Sequence, residues 1–99
     1  MARRKASFSR YDTADYLKSD ADMVAYLKAC MEEAPDDAAF IAAALGNIAR
    51  ARGMAQLAKD TGLTREGLYK ALSTEGNPSL GTILKVTKAL GLKLMPKLA

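Results

Sequence analysis

The chain has 99 residues and contains neither histidine nor tryptophan. Without histidine there is no imidazole general base, no Ser-His-Asp triad and no His-ligated metal site. The single cysteine, Cys30, excludes an internal disulfide and a multi-cysteine zinc site. It fits a reducing cytoplasm. Long hydrophobic runs are also missing. The longest, Ala38 to Leu45 around Phe40, falls far short of the ~18 residues that a membrane span needs. The start, Met1-Ala-Arg-Arg-Lys-Ala-Ser, leads into Tyr11-Asp12-Thr13-Ala14-Asp15 with no apolar stretch of a secretory signal. Neighbouring carboxylates, Glu32 with Glu33 and Asp36 with Asp37, fall at helix ends, where capping and solvation explain them. The expectation is one cytoplasmic domain that is not an enzyme, takes no metal or cofactor and stays out of membranes.

What is present is apolar and helical. Apolar residues make up 49% of the chain, many of them alanine, and six residues are aromatic. Alanine packs helices closely and has the best helix propensity, so the composition points to an all-α fold. The net charge of +4 is unevenly spread. Residues 1–10 carry four cations and no acid, residues 11–40 carry a net −6, and residues 41–99 carry a net +6. These charges serve either as ordinary solvated helix faces or as two surfaces, one basic for a polyanion and one acidic for a basic protein.

Residues 1–10 read as a mobile basic arm, and residues 11–99 as a single domain. Asp12 suits a cap for a short helical turn through Leu17. Ser19 or Asp20 begins a clearer helix with Met23, Leu27, Cys30 and Met31 on one face, ending before Pro35. Asp36 or Asp37 caps the next, in which Phe40, Ala44, Ile48 and Ile41, Leu45 form adjacent apolar stripes up to Gly53. These helices fill 11–53. Met54 to Thr61 is a two-turn helix, Gly62-Leu63 a turn, and Thr64 the cap of a helix ending near Leu72 or Ser73. After the Glu75-Gly76-Asn77-Pro78 loop, the last helix occupies 79–90 with Leu80, Ile83, Leu84, Val86 and Leu90, closed by Gly91. The tail Leu92-Lys93-Leu94-Met95-Pro96 alternates briefly, as an edge strand or an extended dimer contact would.

Residues 54–73 have the anatomy of a helix-turn-helix. Ala58 is small where the two helices approach, Gly62 makes the corner, and Leu57, Leu63, Leu68 and Leu72 face inward. Thr64, Arg65, Glu66, Tyr69, Lys70 and Ser73 are left on the outer face. Gly67, inside the second helix, costs about 1 kcal/mol relative to alanine. Either it permits close approach to a neighbouring helix or to DNA, or the helix firms up only when bound.

From Met54-Ala-Gln-Leu-Ala-Lys-Asp-Thr-Gly-Leu-Thr through Gly76-Asn-Pro-Ser-Leu to Leu90-Gly91-Leu92, the chain resembles the Cro/phage-repressor class of helix-turn-helix proteins. Tyr11-Asp-Thr-Ala-Asp-Tyr-Leu, Arg50-Ala-Arg-Gly-Met and Gly67-Leu-Tyr-Lys-Ala-Leu-Ser are similar to the addiction-module antidote proteins, antitoxins paired with small RelE/HigB-like toxins. The likeness covers roughly residues 8–96. It implies a lambda-repressor-like domain of about five helices with a short extended C-terminal tail. It further implies a homodimer that represses its own operon on double-stranded operator DNA and silences its cognate toxin. Carried over by position, Arg65, Glu66 and Lys70 match base-facing positions, while Thr64 and Gln56 match positions that touch phosphate. Met54 and Ala55 depart from the pattern, because they stand where many such proteins place a polar cap.

Tyr69 is suited either to stacking at DNA or to packing on the following loop, and Ser73 completes the outer row. Phe8, Tyr11, Tyr16 and Tyr26 either line a toxin-facing surface or pack in the core, the latter being expected of at least two. Arg3, Arg4, Lys5 and Arg10 match a groove-reaching arm as well as a merely soluble terminus. Cys30, on an apolar face, is expected to be a buried thiol. The last helix and the tail after Gly91 are the candidate dimer surface, and the acidic first third is the candidate toxin surface. Two other readings stand beside the antitoxin: a free-standing phage-type transcriptional repressor without a toxin, and an interaction module that no longer reads DNA.

Overall fold

The computed structural model describes residues 17–98. The basic arm, the turn capped by Asp12 and the aromatics Phe8, Tyr11 and Tyr16 lie outside the described residues. Five helices follow: α1 (Asp20–Glu33), α2 (Ala38–Arg52), α3 (Met54–Thr61), α4 (Arg65–Ala71) and α5 (Leu80–Ala89). Among the described residues there is no strand. The tail is therefore not an edge strand. The Leu92 amide turns back to the Thr87 carbonyl at 2.8 Å, and Pro96 has no amide to offer a ladder.

Helix starts are set by short polar side chains that satisfy otherwise unpaired amides. Of the paired candidates, Ser19 rather than Asp20 caps α1, accepting from the Asp22 amide at 3.1 Å. Asp37 rather than Asp36 caps α2, accepting from the Phe40 amide at 3.0 Å. Ser79 does the same for α5 through the Thr82 amide at 3.1 Å. Helix α1 stops at Glu33, one residue short of the position that Pro35 disfavours.

Helix α2 is the hub. It packs on α1, α3 and α4, while α5 packs on α3. Its Ala44, Leu45, Ile48 and Ala49 meet Met23, Tyr26, Leu27 and Cys30 of α1, Met54 and Leu57 of α3, and Leu68 and Leu72 at α4, with Val86 and Leu90 closing the same cluster. Leu17, just ahead of α1, also belongs to it. Two apolar assignments differ from the sequence reading. Met31 is 40% exposed, because the buried stripe of α1 runs through Tyr26 instead. Leu80 and Leu84 are 68% and 48% exposed, because α5 faces the core through Val86 and Leu90.

Two features of α2 escaped sequence reasoning. Gly46 is buried against the end of α4, so closely that a Cβ there would collide with the Leu72 carbonyl oxygen. Asn47, a polar residue in an otherwise apolar stretch, is buried and donates through Nδ2 to the Tyr26 hydroxyl at 2.9 Å. Its Oδ1 accepts from Arg50 Nη2, also at 2.9 Å. The pairing satisfies a buried amide and fixes α1 against α2. Arg52 adds an ion pair to Asp20 at 2.7 Å, on the surface and thus a minor contributor.

Cys30 is fully buried, as expected. Burial pushes its thiol pKa from 9.0 up to about 11, with a smaller upward push from Glu33 opposed by a hydrogen bond with Tyr26. A raised folded-state pKa means that the native state holds this proton more tightly than the unfolded chain. The associated stability is complete below pH 9 and is lost as pH rises towards 11. Chemical denaturation should show a fall in stability across that interval that is smaller in Cys30→Ala. Gly46→Ala should destabilise the chain by about 1–3 kcal/mol through overpacking, although helix propensity alone favours alanine by about 1 kcal/mol. A midpoint in urea at or above that of the parent would contradict the close approach.

Candidate nucleic-acid interface

Helices α3 and α4 meet at a three-residue corner, residues 62–64. Gly62 has φ +78°, the left-handed conformation that side chains resist, and its amide bonds to the Ala58 carbonyl at 2.9 Å. Thr61 braces the turn from within. Its hydroxyl donates to the Leu57 carbonyl at 2.8 Å and accepts from the Leu63 amide at 3.2 Å. Leu63 then folds back onto the core, partly buried. The corner thus has one permissive residue and one hydroxyl clamp.

Thr64 N-caps α4, its hydroxyl accepting from the Gly67 amide at 2.9 Å. Leu68 and the C-cap residue Leu72 are fully buried and fasten the helix to the core. Arg65, Glu66, Tyr69 and Lys70 of α4 are all exposed, Arg65 at the first position of the helix and the other three turned away from Leu68. Tyr69 is 41% exposed, so its ring is not enclosed by the following loop. Neither Arg65 nor Lys70 is paired with a carboxylate among the described residues, and Glu66 makes no ion pair with Arg65. Two guanidinium and ammonium donors therefore point at solvent with Glu66 between them in sequence.

At Gly67 no neighbouring helix approaches, since a Cβ there would meet only the Thr64 hydroxyl, at 2.9 Å. Burying two leucines contributes about 3–6 kcal/mol, which outweighs a glycine penalty of about 1 kcal/mol.

Ser73 does not stand freely on the outer face. It is half-buried, donating to the Lys70 carbonyl at 2.9 Å and accepting from the Glu75 amide at 3.3 Å. The helix end leaves that carbonyl without an intrahelical donor, and the serine hydroxyl supplies one. Gln56 is exposed on α3, and its amide nitrogen donates to Asp60 Oδ1 at 2.8 Å. The start of α3 has no side-chain cap: Gly53, with φ +110°, occupies the cap position. The first amides of α3 thus lack the polar side chain that would otherwise engage them. Five of the seven candidate residues, Gln56 on α3 and Arg65, Glu66, Tyr69 and Lys70 on α4, are exposed, whereas the hydroxyls of Thr64 and Ser73 are spent on shaping α4.

No group of three or more metal-ligating side chains occurs among the described residues. No described helix is long and apolar enough to cross a membrane.

Comparison with known proteins gives a family but no structural relative. The family of probable addiction module antidote proteins matches residues 7–97. An uncharacterised protein of Haemophilus influenzae is 49% identical over 83 residues, covering 84% of each chain. No solved structure matches. Because the family match spans nearly the whole chain, the protein belongs to the family of probable addiction-module antidote proteins.

Proposed function

We propose that this chain is the antitoxin of a type II toxin–antitoxin module. It binds its own operator as a dimer through α3 and α4, acting as a helix-turn-helix of the Cro/phage-repressor class, and neutralises a RelE/HigB-like toxin by direct contact. Membership of the antidote family supports a toxin partner. The observation that carries the DNA half of the reading is the outer face of α4, where Arg65 and Lys70 stand exposed and unpaired by carboxylates among the described residues. Cations without internal partners are available to a polyanion at no cost in broken ion pairs.

In this reading α4 lies in the major groove. Arg65 donates two hydrogen bonds to guanine O6 and N7, Lys70 reaches a base edge or a phosphate, and Glu66 accepts from cytosine N4. Gln56 and the uncapped amides of α3 meet phosphate, which the helix dipole favours. Thr64 holds the first turn of α4 in place while its own backbone approaches the phosphate. Gly67 keeps that turn slim for close approach to DNA. Tyr69 stacks or hydrogen-bonds at the edge of the contact, and Ser73 fixes its far end. One such module covers about 600–1,000 Å² of DNA, so useful specificity asks for two copies on half-sites about one helical turn apart. The acidic stretch 11–40 is the surface offered to a basic toxin.

The first experiment is co-purification of the tagged chain from cells expressing its own genomic neighbourhood, followed by operator binding. A stoichiometric basic protein partner supports the antitoxin reading; a chain that returns alone and dimeric favours a free-standing repressor. On DNA, Arg65→Ala should cost about 1–3 kcal/mol of operator affinity and relax discrimination at one base position. Lys70→Ala should weaken binding on all sequences and, if it touches phosphate, lower the slope of log affinity against log salt by about one. Unchanged titration curves for Arg65→Ala would remove it from the base-reading role.

A further inference from the structure

We propose that the C-terminal tail of one copy docks in a groove of a second copy, and that this exchange is the dimer contact. The groove, about 300 Å³, lies between the end of α1, the start of α2 and α5. Its walls are apolar, with Leu27, Met31, Ile41, Leu45 and Ile83 among them. Leu94 of the chain's own tail already sits at its edge. The groove is therefore at the place where the tail leaves the body of the molecule.

Beyond that point the apolar side chains of the tail are exposed. Met95 is 74% exposed and Leu98 95% exposed, while Leu94 itself is 42% exposed. Leu80 and Leu84 extend the apolar surface, because they share a stripe of α5 with the groove residues Ile83 and Thr87 at i, i+3, i+4 and i+7 spacing. Exposed apolar side chains beside an unfilled apolar groove are the two halves of an isologous contact, in which each copy gives and receives the same segment.

Charge complementarity supports this tail as the occupant. Lys93 and Lys97 flank Leu94 and Met95, and the tail carries no acid after Gly91. The α1–α2 end of the groove is acidic: Asp36 lines it, and exposed Glu32 and Asp37 stand nearby in the chain. Pro96 and the absence of a strand leave side-chain insertion, not sheet extension, as the mode of docking. The inference deepens the proposed dimeric reading by naming its interface, and it is tested without DNA.

Sedimentation equilibrium of the full chain should show a dimer. Met95→Asp/Leu98→Asp, both at exposed positions and so compatible with folding by circular dichroism, should raise the dissociation constant at least tenfold. Mixing a Met31→Cys chain with a Leu98→Cys chain under oxidising conditions should give a disulfide-linked heterodimer, the buried Cys30 remaining unreactive. A wild-type monomer, a dimer unaffected by the tail substitutions, or failure to cross-link would each overturn the proposal. So would a toxin that occupies the groove while the tail-substituted chain stays dimeric. A chain that passes these tests but binds no operator would instead overturn the DNA reading and leave the tail exchange standing.

Discussion

The contact between Gly46 and the Leu72 carbonyl is the constraint on which the outer surface depends. It lets the end of α4 approach the middle of α2 more closely than any side chain would permit. Leu68 and Leu72 then reach full burial in the shared core. With those two residues seated, the rotation of α4 about its axis is set, and Arg65, Glu66, Tyr69 and Lys70 are turned to solvent. A seven-residue helix has little stability of its own, so its orientation comes from packing and not from propensity. The face proposed for DNA is thus determined from behind, by a residue that touches nothing on that face.

The rest of α2 serves the same end. Asn47 ties it to Tyr26 of α1 and to Arg50 one turn on, and Gly53 passes the chain directly from α2 into α3 with a single residue between them. Thr61 and Thr64 then use their hydroxyls on either side of the corner, one to close α3 and the other to open α4. The consequence is a division of labour along the motif. Hydroxyl-bearing residues are consumed in shaping the backbone, and the long charged side chains are left exposed to solvent. Ser73, counted with the outer row on spacing alone, belongs to the first group because its carbonyl partner lies at a helix end.

The helix boundaries were legible because they follow from local chemistry. Ser19, Asp37, Thr64 and Ser79 each cap the helix after them, and Gly53 and Gly62 end the helices before them. Exposure of Glu66, Tyr69 and Lys70 was legible for a related reason, since helical spacing turns them away from Leu68, whereas Arg65, one turn before Leu68, is exposed at the first position of the helix. Long-range features were not. That Gly46 and Leu72 meet is invisible in a 26-residue separation, and nothing local to Asn47 points to its partner Tyr26, 21 residues away. Periodicity also overestimated the core at Met31, Leu80 and Leu84, since it finds an apolar face without saying whether the same chain covers it.

Those overestimates have a common physical origin. Met31 lines the groove between α1, α2 and α5, and Leu80 and Leu84 continue its α5 wall. A domain of this size buries a limited fraction of its surface, and among the described residues the five short helices leave the ends of α1 and α5 underpacked. In the proposed exchange, a tail rich in leucine and lysine fills that space in a second copy, converting the packing deficit into an interface. The same association would place two α4 helices in one assembly, which a single short recognition helix requires before it can distinguish one DNA sequence from another. On the proposed reading, the shortage of core and the need for two reading heads have one structural solution.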